Sequence, residues 1–128
     1  MDLAVEIHRI AARFPRSETY RLVAPITRAA ASVPANVAEG HARATRRDFA
    51  SFVAIAKGSL MEAETCLTVA LRLGYLTENE ASAALHLITE NSKMLTALRN
   101  RLKEPGIGNL SPVTCPLTEA LCHLHRKH

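Results

Sequence analysis

Large aromatic side chains are scarce in this chain of 128 residues, which contains no tryptophan, two tyrosines and three phenylalanines. A buried interior must therefore be built mainly from Ala, Leu, Val and Ile. β-Sandwiches draw heavily on aromatic and β-branched residues, so this composition favours closely packed helices. The length corresponds to one compact domain. A content of 48% hydrophobic and 22% charged residues is typical of a globular protein rather than a disordered one.

Cysteines and long apolar runs are equally sparse. Cys66, Cys115 and Cys122 form an odd, widely spaced set, which indicates reduced thiols in the cytoplasm rather than a disulfide framework. No apolar stretch without charges approaches the ~20 residues of a membrane span, so no membrane association is expected. Charged residues interrupt the apolar pattern between Met1 and Pro15, which argues against a signal peptide there.

Motifs that carry catalytic chemistry are also missing. The sequence has no phosphate-binding glycine loop, no nucleophile elbow and no His-Glu-x-x-His zinc motif. No Glu is followed by His three positions later, as a di-metal centre in a helix bundle requires. The last cysteines and histidines lack the paired spacing of zinc ligands; they are Cys115, Cys122, His123, His125 and His128. We therefore expect no enzymatic activity, no metal and no cofactor.

The sequence does contain four segments in which apolar residues recur every three or four positions, as in amphipathic helices. The predicted helices extend over residues 2–13, 17–39, 45–74 and 77–102. Pro25 and Pro34 lie within the second segment and predict a kink or a short break, and Gly40 is expected to end it. Thr45 and Thr77 each open a capping-box pattern at the start of a helix.

Short connections between four amphipathic helices imply an all-α, antiparallel up-down bundle. This domain is expected to occupy residues 1–104. Residues 105–128 differ in character, because their first half is rich in Pro and Gly and has no helical period. From Pro116 onwards the pattern is compatible with a short helix that carries Leu117, Leu121 and Leu124 on one edge. We expect a C-terminal loop and short helix outside the bundle.

Charge is distributed unevenly along the chain, whose formal net charge is +4. Residues 41–60 and 91–128 carry +3 and +4, whereas residues 61–90 carry −4. In an up-down bundle, the end of the second helix, the start of the third and the end of the fourth meet at one end. That end, here called the basic pole, collects Arg43, Arg46, Arg47, Arg99, Arg101 and Lys103.

Two arginines of the basic pole oppose the preference of a helix start for negative charge, because Arg46 and Arg47 begin the third helix. A contact with the phosphate backbone of RNA or DNA explains them. No stacking aromatic residue is predicted at this surface, so recognition should be weakly sequence-specific. Two alternatives stay open: a scaffold whose basic pole receives an acidic protein partner, and a surface that aids solubility or faces another subunit.

A polar stripe lies beside the apolar stripe of the second helix rather than opposite it. It comprises Arg28, Ser32, Asn36, Glu39 and Arg43. We expect a hydrogen-bonded network at a boundary between helices or subunits, with a solvated face as the alternative. In the third helix, Gly58 beside Ser59 lowers helix stability, which predicts the close approach of a neighbouring helix rather than a nucleophile.

These residues belong to a longer pattern that resembles the four-helix bundle family of 23S rRNA intervening-sequence proteins. The resemblance covers about residues 3 to 103. Its most specific parts are Ser32-Val33-Pro34, Asn36-Val37-Ala38-Glu39-Gly40 and Gly58-Ser59-Leu60. It also includes Phe14-Pro15, Glu18, Tyr20, Leu22, Arg28-Ala29-Ala30, Arg43, Phe49, Phe52, Ile55-Ala56, Glu62, Leu67, Leu73-Gly74-Tyr75 and Met94-Leu95. The chain is similar as well to the accessory proteins of diversity-generating retroelements.

The resemblance implies a fold and an assembly more than an activity. It implies a ring-like homopentamer of up-down bundles, and an association with nucleic acid, because the retroelement relatives present basic surface to RNA or DNA and to a reverse transcriptase. It also implies structural or interface roles, not catalytic ones, for Arg28, Ser32, Asn36, Glu39, Gly40, Gly58 and Ser59. The chain departs from the family in a short first helix, in Pro25 and in residues 105–128.

Overall fold

A computed structural model describes residues 2–103, and this part of the chain contains helices and no strand. Four α-helices follow one another: α1 (Asp2–Ala11), α2 (Ala24–His41), α3 (Arg46–Arg72) and α4 (Glu78–Lys103). A 3₁₀ turn (Arg16–Glu18) and a π-helical turn (Thr19–Val23) join α1 to α2. The predicted all-α four-helix bundle is therefore confirmed. The predictions for residues 105–128 fall outside the described residues.

The helices pack around one core of small and aliphatic side chains. The contacts of α3 with α2 are the most extensive, followed by those with α4, and α1 lies against both α2 and α4. Each helix contributes fully buried residues, among them Ile7, Ile26, Leu60 and Ile88. Eight alanines are buried as well; because alanine adds only a methyl group, neighbouring helix axes can approach closely. The core thus has the composition that the scarcity of aromatics predicts.

α1 is the shortest helix and ends two residues earlier than predicted. The amide of Arg13 donates to the carbonyl of Ile10 and that of Phe14 to the carbonyl of Ala11, both at 3.1 Å. These tight turns end the helix because the residue before a proline is forced out of the helical conformation. With ten residues, α1 is about 15 Å long, against about 40 Å for α3. α1 therefore packs along only part of the length of the bundle.

The interruption that the prolines predict lies before Pro25, not at Pro34. Pro25 has no amide hydrogen, and its ring would clash with the carbonyl four residues earlier. The preceding turn widens accordingly, and the amide of Ala24 donates to the carbonyl of Thr19, five residues back. From Ala24 onwards α2 is one continuous helix to His41, with Pro34 inside it. The predicted interruption of the segment 17–39 is therefore found before Pro25 and not at Pro34.

Gly40 does not end α2, as the sequence predicts, but lies buried within its last turn. A Cβ atom built on Gly40 would lie 2.7 Å from the Cβ of Phe52 and 2.9 Å from Cδ1 of Phe49. Both distances are too short for real carbon contacts, so any side chain here would push α2 away from α3. The residue is required for close helix approach, and the capping residue of α2 is Ala42.

The starts of α3 and α4 follow the predicted capping patterns. The hydroxyl of Thr45 accepts a hydrogen bond from the amide of Asp48 at 3.1 Å. At α4 the box is reciprocal: the amide of Glu80 donates to Thr77 Oγ1, and the amide of Thr77 donates to Glu80 Oε1. Both arrangements satisfy amide groups that a helix start leaves without partners.

Gly74 ends α3 with a φ of 81°, which glycine adopts without steric strain. The amide of Tyr75 donates to the carbonyl of Ala70, and that of Gly74 to the carbonyl of Leu71, both at 3.0 Å. This pair of bonds is a Schellman motif. It turns the chain sharply, so that Tyr75 points back at the segment between α1 and α2.

Tyr75 joins two loops at the end of the bundle away from the basic pole. Its hydroxyl donates to Glu18 Oε2 at 2.8 Å, and its ring lies 5.7 Å from that of Phe14. Glu18 is buried. The pKa of the Tyr75 phenol is raised, first by the hydrogen bond to Glu18 and second by partial removal from water. The contact therefore favours the protonated phenol.

We predict that Gly40→Ala destabilises the bundle, because the added methyl group has no room against Phe49 and Phe52. Overpacking of this kind lowers the free energy of unfolding by about 1–3 kcal/mol, although alanine is otherwise the better helix former. Urea denaturation followed by circular dichroism measures the change. The control is Ala38→Met on the exposed face of the same turn. An equal loss in both variants would contradict the role given to Gly40.

We predict that the Tyr75 contact makes stability depend on alkaline pH. A raised pKa in the folded state contributes stability that is complete below the ordinary phenol pKa near 10 and is lost as pH rises through the raised value. The unfolding temperature of the wild type should therefore fall more steeply above pH ~10 than that of Tyr75→Phe. At neutral pH the unfolding temperature of Tyr75→Phe should be lower than that of the wild type. Tyr20, which is 88% exposed, supplies the control Tyr20→Phe, whose pH profile should match the wild type.

Candidate nucleic-acid interface

The structure brings three cations of the basic pole together on one cleft between the start of α3 and the end of α4. Arg47 stands on the first turn of α3, and Arg99 and Lys103 stand on the last turns of α4. Arg47 and Lys103 are exposed, whereas Arg99 is half-buried. None of the three forms an ion pair with another described residue. Their charge is therefore not neutralised within residues 2–103.

The cleft has a volume of about 390 Å³, within the range of sites that hold small molecules or parts of larger ones. Its remaining lining is small or apolar: Ala50, Ser51, Ala54 and Leu102. Leu102 is buried and the two alanines are half-buried, so these side chains form the floor below the cations. No carboxylate lines the cleft among the described residues.

The other predicted cations of the pole have intramolecular roles or point elsewhere. Arg46 donates from Nη2 to the backbone carbonyl of Arg101, which ties α3 to α4 and neutralises the negative end of the α4 dipole. Arg43 forms a 2.6 Å ion pair with Glu39, and its guanidinium carbon lies 4.9 Å from the centre of the Phe52 ring. Arg101 itself is exposed and does not line the cleft.

The polar stripe of α2 divides into two parts. Ser32 Oγ accepts hydrogen bonds from Asn36 Nδ2 at 2.7 Å and from Ser59 Oγ at 2.9 Å. This chain of polar groups joins α2 to α3 inside the subunit. Asn36 also donates to the carbonyl of Ser32, which fixes its amide along the helix. Arg28 and the Glu39–Arg43 pair lie in exposed positions.

Gly58 has no close neighbour within the subunit, so the predicted approach of a neighbouring helix is not found there. A Cβ atom built on it would meet no atom within 4 Å. It lies on an exposed face of α3 with Ile55, Glu62, Val69 and the C-cap residue Leu73, all within about 60° of arc. We call these five residues the outer face of α3. The apolar side chains on it are between 41% and 55% exposed.

Groups that could support metal or thiol chemistry are not assembled in the described part of the chain. Among residues 2–103 no three His, Cys, Asp or Glu side chains come together as metal ligands. Burial and the neighbouring Glu62 raise the pKa of the Cys66 thiol, which disfavours the reactive thiolate. His86 pairs with Glu90 on the surface at 3.3 Å. No helix in this range is both long and apolar enough to cross a bilayer.

The cleft contains residues that the sequence analysis did not identify: Ala50, Ser51, Ala54 and Leu102. A signal for them exists, because positions 47, 50, 51 and 54 share one face of α3, and positions 99, 102 and 103 share one face of α4. In the sequence, the cations of these two faces are identified by their charge alone. The small residues between them carry no charge, so this criterion does not connect them to the cations.

Comparison with known proteins gives a family match that covers most of the helical bundle. No curated protein matches the chain. The sequence profile of the 23S rRNA-intervening sequence protein family does match it, over residues 1–97. These residues include all of α1, α2 and α3 and most of α4. The chain, an all-helical bundle with the family's sequence pattern over most of its length, belongs to the 23S rRNA-intervening sequence protein family.

Proposed function

We propose that this protein is a non-enzymatic, homo-oligomeric bundle that binds RNA or DNA through the basic pole with low sequence specificity. The observation that carries the proposal is the convergence of Arg47, Arg99 and Lys103 on one cleft without a carboxylate partner among the described residues. Unpaired, clustered cations attract polyanions. A nucleic acid is the polyanion that the family's link to ribosomal RNA favours.

The position of Arg47 supports this function over a purely structural one. Cations at the end of α4 are ordinary, because they interact favourably with the negative end of the helix dipole. Arg47 at the start of α3 opposes that rule and lines the cleft, whereas the neighbouring Arg46 bonds to a backbone carbonyl of α4. A phosphate bound there would offset the unfavourable placement.

Self-association is the second part of the proposal, and the outer face of α3 supports it. A glycine inside a helix lowers stability by about 1 kcal/mol relative to alanine, yet Gly58 meets nothing within its own subunit. A second copy lying against Gly58 and its apolar neighbours explains the glycine, because the missing side chain allows close approach, and it covers the exposed side chains. The resemblance to the family's ring-like assemblies makes a pentamer the expected state. Repetition of a weak site then raises the affinity for a long polyanion.

We predict salt-dependent binding of structured RNA or duplex DNA, measured by fluorescence anisotropy across a salt series. Replacing Arg47, Arg99 and Lys103 together by Gln should weaken binding and reduce the slope of log Kd against log salt by about 2, because each phosphate contact contributes about 0.7–0.9 to the slope.

The matched control replaces Arg16, Arg72 and Lys93 by Gln, which removes the same charge away from the cleft. This control should retain most of the affinity and nearly the same slope. Equal losses in the two triple variants would show that net charge, not the cleft, determines binding. Absence of any binding at ~50 mM salt would overturn the proposed function.

We predict a mass in solution of about five times the 14.0 kDa of one chain, measured by light scattering after size-exclusion chromatography. Gly58→Leu should shift the protein to a smaller mass without loss of helix content, because leucine favours the helix but fills the outer face of α3. The control is Glu64→Leu, an exposed position on another face of the same helix. A monomeric wild type, or an unchanged mass for Gly58→Leu, would contradict this part of the proposal.

A further inference from the structure

The cleft between α3 and α4 differs from a plain cationic patch because its floor is apolar. Arg47 and Lys103 are exposed above it, while Leu102 is buried and Ala50 and Ala54 are half-buried below. A phosphate group gains from the cations but loses hydration against the methyl groups of the floor. The lining therefore suits a ligand that joins an anionic group to a flat, weakly polar one.

The dimensions of the cleft agree with such a ligand. Its volume of about 390 Å³ accepts a group of the size of a nucleoside. Alanine at positions 50 and 54 keeps the space open, because a larger side chain at either position would project into it. Within residues 2–103, no aromatic ring lines the cleft. Arginine guanidinium planes also stack on unpaired bases, and Arg99 is half-buried in the wall.

We propose that this cleft holds one nucleotide unit of an unpaired strand of RNA or DNA. Arg47 and Lys103 bind its phosphate, and the base lies on the floor of Ala50, Ala54 and Leu102 beside Arg99. In a duplex the bases are stacked inside, so only phosphates reach the cations and the floor stays unused. This inference rests on the proposed function and adds a preference for single strands, loops or frayed ends.

The test fills the floor without changing the charge. Ala54→Leu places a larger side chain in the cleft and retains a good helix former. We expect it to weaken the binding of an unpaired oligonucleotide of ~12 nucleotides by about tenfold, the effect of losing one stacked base. A fully paired hairpin with the same number of phosphates should lose about twofold or less, because it contacts only the cations. The measurement is fluorescence anisotropy with the full chain.

Two further variants secure the result. Ala50→Leu fills the same floor from the preceding turn and replaces Ala54→Leu if that protein shows a changed circular dichroism spectrum or unfolding temperature. Ala83→Leu introduces the same side chain at an exposed position near the other end of α4, and its affinity for both probes should equal that of the wild type.

Specific outcomes would overturn the inference. A base in the cleft is excluded if filling the floor leaves the affinity for the unpaired strand unchanged, or lowers it as much as the affinity for the hairpin. In either case, salt-dependent binding of the hairpin would still support the proposed function. A nucleoside monophosphate that competes as strongly as the oligonucleotide would make a free small molecule the occupant instead. If neither probe binds at low salt, the proposed function fails together with the inference.

Discussion

The close approach of α2 and α3 at Gly40 is the constraint on which the geometry of the basic pole depends. The missing side chain allows the last turn of α2 to rest directly on Phe49 and Phe52. This contact fixes how far α2 extends before the chain turns into α3. It therefore determines where Thr45 caps α3 and where Arg46 and Arg47 begin it. A larger residue would separate the two helices at the point where the basic pole is assembled.

Other contacts hold the same two helices together along their length. The Ser59–Ser32–Asn36 hydrogen bonds are half-buried and join α2 to α3 about two turns from Gly40. Arg43 covers the Phe52 ring and is held by Glu39. The family's sequence pattern around Asn36, Glu39 and Gly40 is thus explained by one interface inside the subunit. The charged residues of the pattern support the pole. The cations that face the cleft belong to the pole but not to the pattern.

Much of the architecture could be predicted from the sequence because its causes are local. Helical periodicity, the capping residues Thr45 and Thr77, and Gly74 fix the limits of α3 and α4 within two residues. Pro25 predicts an interruption, but not that it takes the form of a wide π-helical turn. The burial of Gly40 could not be predicted, because it depends on the side chains of Phe49 and Phe52 in the next helix. Charge and topology predict the pole, but they do not predict which of its cations face the cleft. Which arginines face the cleft and which bond to neighbours depends on side-chain directions that only the packed helices determine.

The pairing of charges along the bundle has a consequence for how a polyanion would first be met. At the end away from the pole, Arg13 and Arg21 pair with Glu80 and Glu18. The three cations of the cleft have no carboxylate partner among the described residues. Both ends contain arginines, but a cluster of cations without carboxylates lies at the pole. For the proposed binding of a nucleic acid, the field of this cluster would orient the subunit before contact and raise the rate of productive encounters at low ionic strength.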